Sequence, residues 1–194
     1  PVRPFTFMLL VPAICLTLAA CVPVPPTPVL VAPDGSLVEA PPPPNEVEET
    51  KAEELLAQSR SLRQQSKAAD AERIEAQLIQ DWPGTIAAAH VLFEQAERAD
   101  QAGDFDVVIS RLEKLLFYRP DFSKIETARK LYAHALVKVE RFADAAGMLG
   151  ALYANATESA NMVELGKIYI ESLREISRLT EALRVCVDLK AIPT

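Results

Sequence analysis

Cysteine, histidine and glycine are scarce in this chain of 194 residues, which has three cysteines, two histidines and six glycines. Disulfide-stapled folds need several cysteine pairs and most structural zinc sites need four Cys or His ligands, so the composition argues against both. A phosphate-binding loop is lacking as well, because Gly147 and Gly150 fit neither the G-x-G-x-x-G nor the P-loop spacing.

An excess of positive charge is also lacking. The chain has 20 Lys and Arg against 27 Asp and Glu, a net charge of −7, whereas nucleic-acid binding needs a basic face that displaces counterions. His90 and His134 have no accompanying metal-binding motif, and Cys186 is expected to be a small buried side chain rather than a nucleophile. The sequence therefore predicts no enzyme, no cofactor, no metal site and no nucleic-acid partner.

The one long apolar run lies near the amino terminus, where Arg3 precedes a run from Phe5 to Leu18. This run is too short for a stable membrane-spanning helix and has the order of a secretory signal, so residues 1–20 are predicted to be a signal peptide. A plain secretory signal without lipid attachment is the alternative to the interpretation that follows.

The sequence Leu18-Ala19-Ala20-Cys21 resembles the lipobox of bacterial lipoproteins. That resemblance implies that the peptide is cut before Cys21 and that Cys21 carries acyl chains, which hold the protein to a lipid bilayer. Val22 stands where an Asp commonly retains such proteins in the inner membrane, so the resemblance implies an outer-membrane lipoprotein facing the periplasm.

Residues 21–50 form a segment of different composition from the rest. Nine of the fifteen prolines and five acidic residues fall within 22–50, and Lys and Arg are absent there. We expect a disordered, extended spacer that lifts a folded body off the membrane. A proline-rich ligand for an aromatic groove is the alternative.

Residues 51–194 have only three prolines and show apolar side chains at helical spacing, which predicts an all-α region. Small and apolar residues recur every 37 positions, giving units near 52–88, 89–125, 126–162 and 163–194. The columns of this repeat include Phe105/Phe142/Leu179, Val108/Ala145/Ala182, Leu112/Leu149/Cys186 and Leu115/Leu152/Leu189.

Each unit is predicted to be a pair of antiparallel helices. The first helices of units two to four are expected at 86–102, 124–139 and 160–176, and the second helices at 105–118, 142–154 and 179–190. Gly103 suits a helix C-terminus and Pro120 blocks further helix. In the first unit Glu75 occupies an apolar column, so residues 52–88 are either a polar capping hairpin or one long helix.

The pattern resembles the tetratricopeptide repeat, and the second and third units carry the resemblance. The matching residues are Leu92, Ala96, Ala99, Gly103, Phe105, Val108, Leu112, Leu115 and Pro120, then Tyr132, Ala133, Leu136, Phe142, Ala145, Leu149 and Leu152. The resemblance implies stacked antiparallel hairpins in a right-handed solenoid. The period of 37 rather than 34 and the missing signature Trp depart from the family, and another helical-hairpin repeat is the alternative.

In the tetratricopeptide family the first helix of each unit lines a groove that binds peptides. Carried over, that role falls on His90, Phe93, Glu97, Asp100, Thr127, Lys130, His134, Lys138, Lys167, Glu171 and Arg174. Lys130 and Lys138 lie two turns apart on one helix face and are candidates for holding a carboxylate. Ordinary solvated charges are the alternative for each polar residue.

Together these features predict a periplasmic, membrane-anchored scaffold that binds another envelope protein or peptide segment. The combination resembles the N-terminal region of lipoprotein activators of penicillin-binding proteins, and also outer-membrane-protein assembly lipoproteins and secretin pilotins. Two alternatives stay open. The chain is either a purely structural envelope spacer, or the N-terminal part of a longer lipoprotein whose ligand-binding or regulatory domain lies beyond residue 194.

Overall fold

The computed structural model describes residues 43–191, together with the backbone of residues 29–31 and 37–39. The predicted signal peptide at 1–20, the lipidation site Cys21 and most of the spacer lie outside the described residues, so they stay predictions.

Two short strands lie within the segment expected to be an extended spacer. β1 (Val29–Val31) pairs antiparallel with β2 (Leu37–Glu39), with Val29 opposite Glu39 and Val31 opposite Leu37. Branched and apolar side chains favour strands, and the intervening sequence contains Asp34-Gly35, a pair typical of hairpin turns. The sequence analysis did not predict these strands because it judged the segment by its proline content alone.

Eight α-helices follow within residues 43–191 and confirm the predicted all-α fold of helical hairpins. Successive helices pair as α1 with α2, α3 with α4, α5 with α6, and α7 with α8, and each pair packs on the next. The bounds are α1 Glu46–Gln64, α2 Ala68–Asp81, α3 Ile86–Ala102, α4 Phe105–Tyr118, α5 Ile125–Lys138, α6 Phe142–Asn155, α7 Ser159–Glu175 and α8 Leu179–Lys190.

The first unit is a hairpin of two helices rather than one long helix, and it begins earlier than the boundary expected at residue 51. Asn45 caps α1: its side chain accepts from the Glu48 N–H at 3.0 Å, and the Glu48 carboxylate accepts from the Asn45 N–H at 2.9 Å. This capping box, followed by acidic residues in the first turn, explains why the helix starts at Glu46 directly after the prolines.

All four hairpins have the same turn conformation, so the backbone repeats every 37 residues as the sequence does. In the turn after each first helix one residue has a positive φ of 60–75°, and the N–H of the residue that follows it donates to the carbonyl five residues earlier at 2.8–2.9 Å. This is the Schellman motif, which satisfies the last carbonyls of a helix. The positive-φ residues, each 37 apart, are Ser66, Gly103, Glu140 and Ser177.

Most of the predicted apolar columns point into the stack, but Leu179, in the column of Phe105 and Phe142, is 59% exposed on α8. Leu112 and Leu149 are buried, as are Leu115 and Leu152 one turn later. A central cluster joins α3 to the start of α7, a second cluster joins α1, α2 and α3, and a third joins α6, α7 and α8. The core is therefore a chain of overlapping contacts between neighbouring hairpins, as expected for a repeat array.

Candidate functional site

Phe93 lies in the core rather than on an open groove. Its side chain is only 2% exposed. The Phe122 ring packs against it with centroids 5.8 Å apart, and Lys124 Nζ lies 5.2 Å from the centroid of the Phe93 ring. Phe93 is thus inaccessible to a partner, contrary to the expectation for a groove residue. Phe122 is responsible, since it lies in the segment between α4 and α5, which the repeat columns did not include.

The other groove candidates on α3 have mixed surroundings. His90 is half-buried, and its ring meets Phe122 edge-on at 5.1 Å. Burial, followed by the positive charge of Arg60, lowers the pKa of His90. Glu97 is exposed, and Asp100 faces the next first helix, where its Oδ1 lies 3.7 Å from His134 Nδ1.

On α5 the two lysines predicted to hold a carboxylate differ in environment. Lys130 is half-buried and donates from Nζ to the Asn161 side chain at 2.9 Å, which ties α5 to α7. Lys138 is exposed, as is Thr127. His134 also meets the Phe105 ring edge-on at 6.1 Å. Lys130 thus already makes a contact within the array, so a joint carboxylate site would have to displace it.

The three candidates on α7 are all exposed on its surface: Lys167, Glu171 and Arg174. Among the predicted groove residues, the structure therefore brings Asp100 and His134 together. Apart from the half-buried Lys130, the other charged candidates lie on the surface of the first helices as exposed charges of both signs. Exposed charges of both signs at helical spacing are also what an ordinary solvated helix presents.

The outer face of α8 carries an apolar stripe that the sequence reasoning missed. Leu179, Leu183 and Val187 are 59%, 66% and 66% exposed, and they follow one another at four-residue intervals along one face. A stripe of this spacing is normally the buried face of an amphipathic helix.

The 37-residue register shows what this face does in earlier units. The equivalents of the stripe on α4 are Phe105, Ile109 and Glu113. Phe105 meets the His134 ring of α5, Ile109 belongs to the central core, and Glu113 accepts from the Tyr132 hydroxyl of α5 at 3.1 Å. The next first helix therefore packs on these positions. The stripe could have been found from the sequence by comparing Leu179, Leu183 and Val187 with their equivalents on α4 in the 37-residue register.

Glu75 is a buried charge with a complete set of partners. Its side chain is 1% exposed and accepts five hydrogen bonds at 2.7–3.0 Å, two of them from Arg63. The others come from Ser59, Gln95 and Arg98. Burial alone would raise the pKa of Glu75, but the hydrogen bonds from Arg63 and Gln95 and the charges of Arg98 and Arg63 lower it overall. Hydrogen-bonded neighbours therefore explain how an acid fits an apolar column.

Chemically reactive groups are dispersed in the described part of the chain. Among residues 43–191, His, Cys, Asp and Glu side chains nowhere gather in threes as metal ligands would. Cys186 is half-buried on α8, in the column of Leu112 and Leu149. No helix within the described ranges combines the length and apolarity needed to cross a bilayer.

Comparison with known proteins gives no relative. No family model matches the sequence, and neither a curated protein nor a solved structure matches it.

Proposed function

We propose that this protein is an outer-membrane lipoprotein, acylated at Cys21 and facing the periplasm, whose helical array binds another envelope protein. The observation that carries the binding function is the exposed stripe of Leu179, Leu183 and Val187 on α8. The bound element is an amphipathic helix of the partner, because the same face of α4 receives a first helix within this chain.

Energetics support helix docking at this stripe. Each of the three side chains is more than half exposed, so covering each would contribute about 1–2 kcal/mol of apolar burial. Charged residues flank the stripe, with Arg184 and Asp188 also exposed on α8. A partner helix with one apolar face and polar edges fits this surface, as two amphipathic helices pack against each other.

A site-specific photo-cross-link tests the binding function. A photoreactive phenylalanine replaces Leu183 in the full-length protein in cells, and the matched control carries it at Ser110, an exposed position of α4 away from the stripe. The proposal predicts that position 183 cross-links to one envelope protein and that position 110 does not. Equal cross-linking from both positions, cross-links only within the same polypeptide, or none from 183 would contradict it.

The membrane anchor is tested separately. Intact-mass analysis of detergent-extracted protein should give a chain that begins at Cys21 and carries the mass of attached acyl chains. Cys21→Ser should abolish that mass increase and release the protein from the outer-membrane fraction, since a stable anchor requires two or more acyl chains. Wild-type protein that lacks lipid, or a Cys21→Ser protein that stays in that fraction, would refute lipidation as the anchor.

A further inference from the structure

The side of the stack formed by the second helices contains an open cleft of about 690 Å³ between α2 and α4, above α3. Four cationic side chains line it: Arg63, Arg98, Arg111 and Lys114. Ile79 and Val107 give it an apolar wall. This volume is in the range of sites that hold small ligands or short peptide segments. It lies away from the α8 stripe.

The cleft carries surplus positive charge in an acidic protein. Its four cations face two anions, Glu72 at the rim and Glu75 beneath, which leaves a surplus of two positive charges. The whole chain has a net charge of −7. Arg111 and Lys114 make no ion pair with any of the described residues, so their charges face the cleft uncompensated.

Buried contacts fix the cleft in shape. The Glu75 carboxylate accepts two hydrogen bonds from Arg63, at 2.7 and 3.0 Å, and one from Arg98, at 2.9 Å. These hydrogen bonds orient both guanidinium groups. Because Arg63 and Arg98 already pair with Glu75, Arg111 and Lys114 are the cations of the cleft that are left to pair with an anionic ligand.

Two buried polar atoms of the cleft lack a hydrogen-bond partner among the described residues. One is a donor, Arg111 Nε, and the other an acceptor, Gln95 Oε1. The orientation of the Gln95 amide is set by its Nε2, which donates to Glu75 at 2.9 Å. Unpaired buried polar atoms are costly, so a ligand that supplies both an anionic oxygen and an N–H donor would be favoured here.

The next cleft along the array shows that the fold alone does not produce a basic cleft with unpaired polar atoms. The cleft between α4 and α6 has about 660 Å³ and occupies the same place one repeat later. The residues 37 positions after the four cations are Asp100, Ala135, Met148 and Ala151, and Tyr132 replaces Gln95. The second cleft is thus neither basic nor provided with the same unpaired atoms.

We propose that the cleft between α2 and α4 binds an acidic peptide segment of a partner protein. A carboxylate of the segment pairs with Arg111 and Lys114, a backbone N–H donates to Gln95 Oε1, and an aliphatic side chain packs on Ile79 and Val107. The peptide backbone distinguishes this ligand from inorganic phosphate, which offers no apolar group. The proposal rests on the proposed function only in that the segment belongs to a partner protein.

Fluorescence anisotropy with a labelled decapeptide of alternating leucine and glutamate tests the proposal on the full-length, detergent-solubilised protein. The same peptide with glutamine in place of glutamate is the ligand control. Arg111→Gln and Lys114→Gln are the test variants. The matched control is Arg129→Gln, because Arg129 is partly exposed on α5 and pairs with Glu126 on its own helix. Thermal unfolding of each variant checks that it is folded.

We expect the glutamate peptide to bind, and Arg111→Gln to weaken it at least about tenfold, the scale of one lost charged hydrogen bond. Lys114→Gln should weaken it less, and Arg129→Gln should leave it unchanged. Equal binding of the glutamine peptide, no binding by the wild type, unchanged binding in both test variants, or displacement by millimolar inorganic phosphate would overturn the proposal. Leu183→Glu should not alter peptide binding, so failure here leaves the α8 result standing on its own.

Discussion

Three of the four hairpin turns place a residue other than glycine at positive φ. Ser66, Glu140 and Ser177 adopt the conformation that Gly103 adopts in the second hairpin. A side chain costs about 1–2 kcal/mol in this region, since Cβ crowds the backbone. These turns therefore hold a small amount of strain that the surrounding helix packing outweighs.

Gly103→Ala should destabilise the protein by about 1 kcal/mol, because it introduces that strain at φ 75°. Glu140→Gly should stabilise it by about 0.5 kcal/mol, since relief of strain exceeds the extra freedom of glycine in the unfolded chain. Urea unfolding of both variants measures the two effects. Destabilisation by Glu140→Gly would mean that the side chain of Glu140 contributes more than the turn geometry indicates.

The Glu75 network makes stability depend on pH. The folded pKa of Glu75 lies below its ordinary value of 4.5, so its contribution to stability is fully present above pH 4.5 and disappears as the pH falls through the lower folded pKa. Glu75→Gln should lose about 3 kcal/mol at pH 7, because Arg63 and Arg98 lose their charged partner.

Urea unfolding at pH 7 and pH 3 measures both effects. The variant should lose less stability than the wild type between these two pH values. An identical loss in both proteins would show that other acidic groups, and not Glu75, govern the acid response.

Residue-level prediction from the sequence failed where a long-range neighbour decided the environment. Phe93 follows the helical pattern of a groove residue, but Phe122, far along the chain, covers it. Glu75 occupies an apolar column, and no periodicity reveals that five donor atoms from two other helices, α1 and α3, surround it. Such contacts depend on packing between hairpins, which a single sequence does not specify.

At the scale of helices, the spacing of apolar residues was sufficient to predict where most helices begin and end. α3 and α4 have the predicted bounds, and α5 to α7 differ by one residue at their ends. Apolar spacing fixes the helix faces, and Gly103 and Pro120 mark two of the boundaries. The sequence analysis missed the early start of α1 and the strands β1 and β2. It judged this region by its proline content and so overlooked the helix cap at Asn45 and the turn pair Asp34-Gly35.

A matched pair of leucines tests whether the columns define the inner face of the second helices. Leu149 on α6 is 1% exposed, whereas Leu183 on α8 is 66% exposed. Leu149→Asp should cost several kcal/mol, about 3 or more, by burying an unpaired charge. Leu183→Asp should change the free energy of unfolding by less than about 0.5 kcal/mol.

Chemical denaturation of the two variants gives this comparison directly. Similar losses in both would mean that the outer face of α8 is covered in the folded protein. A small loss in Leu149→Asp would mean that the repeat columns do not form the core.

For the whole molecule, the overlapping clusters predict unequal local stability. The central cluster joins α3 to the start of α7, whereas α8 belongs only to the smaller cluster that it forms with α6 and α7. Native-state hydrogen exchange should therefore show the slowest amides in α4 and α5 and the fastest helical amides in α8. Uniform protection across the helices would indicate one cooperative unit instead of hairpins of unequal local stability.

The most direct test of the scaffold function is the dissociation constant of the cross-linked partner for three versions of the protein. These are the wild type, Leu183→Glu, and Ser110→Glu, which places the same charge on an exposed position of α4. The α8 surface predicts at least about tenfold weaker binding for Leu183→Glu with Tm unchanged, and wild-type binding for Ser110→Glu. Equal dissociation constants for all three proteins would contradict it.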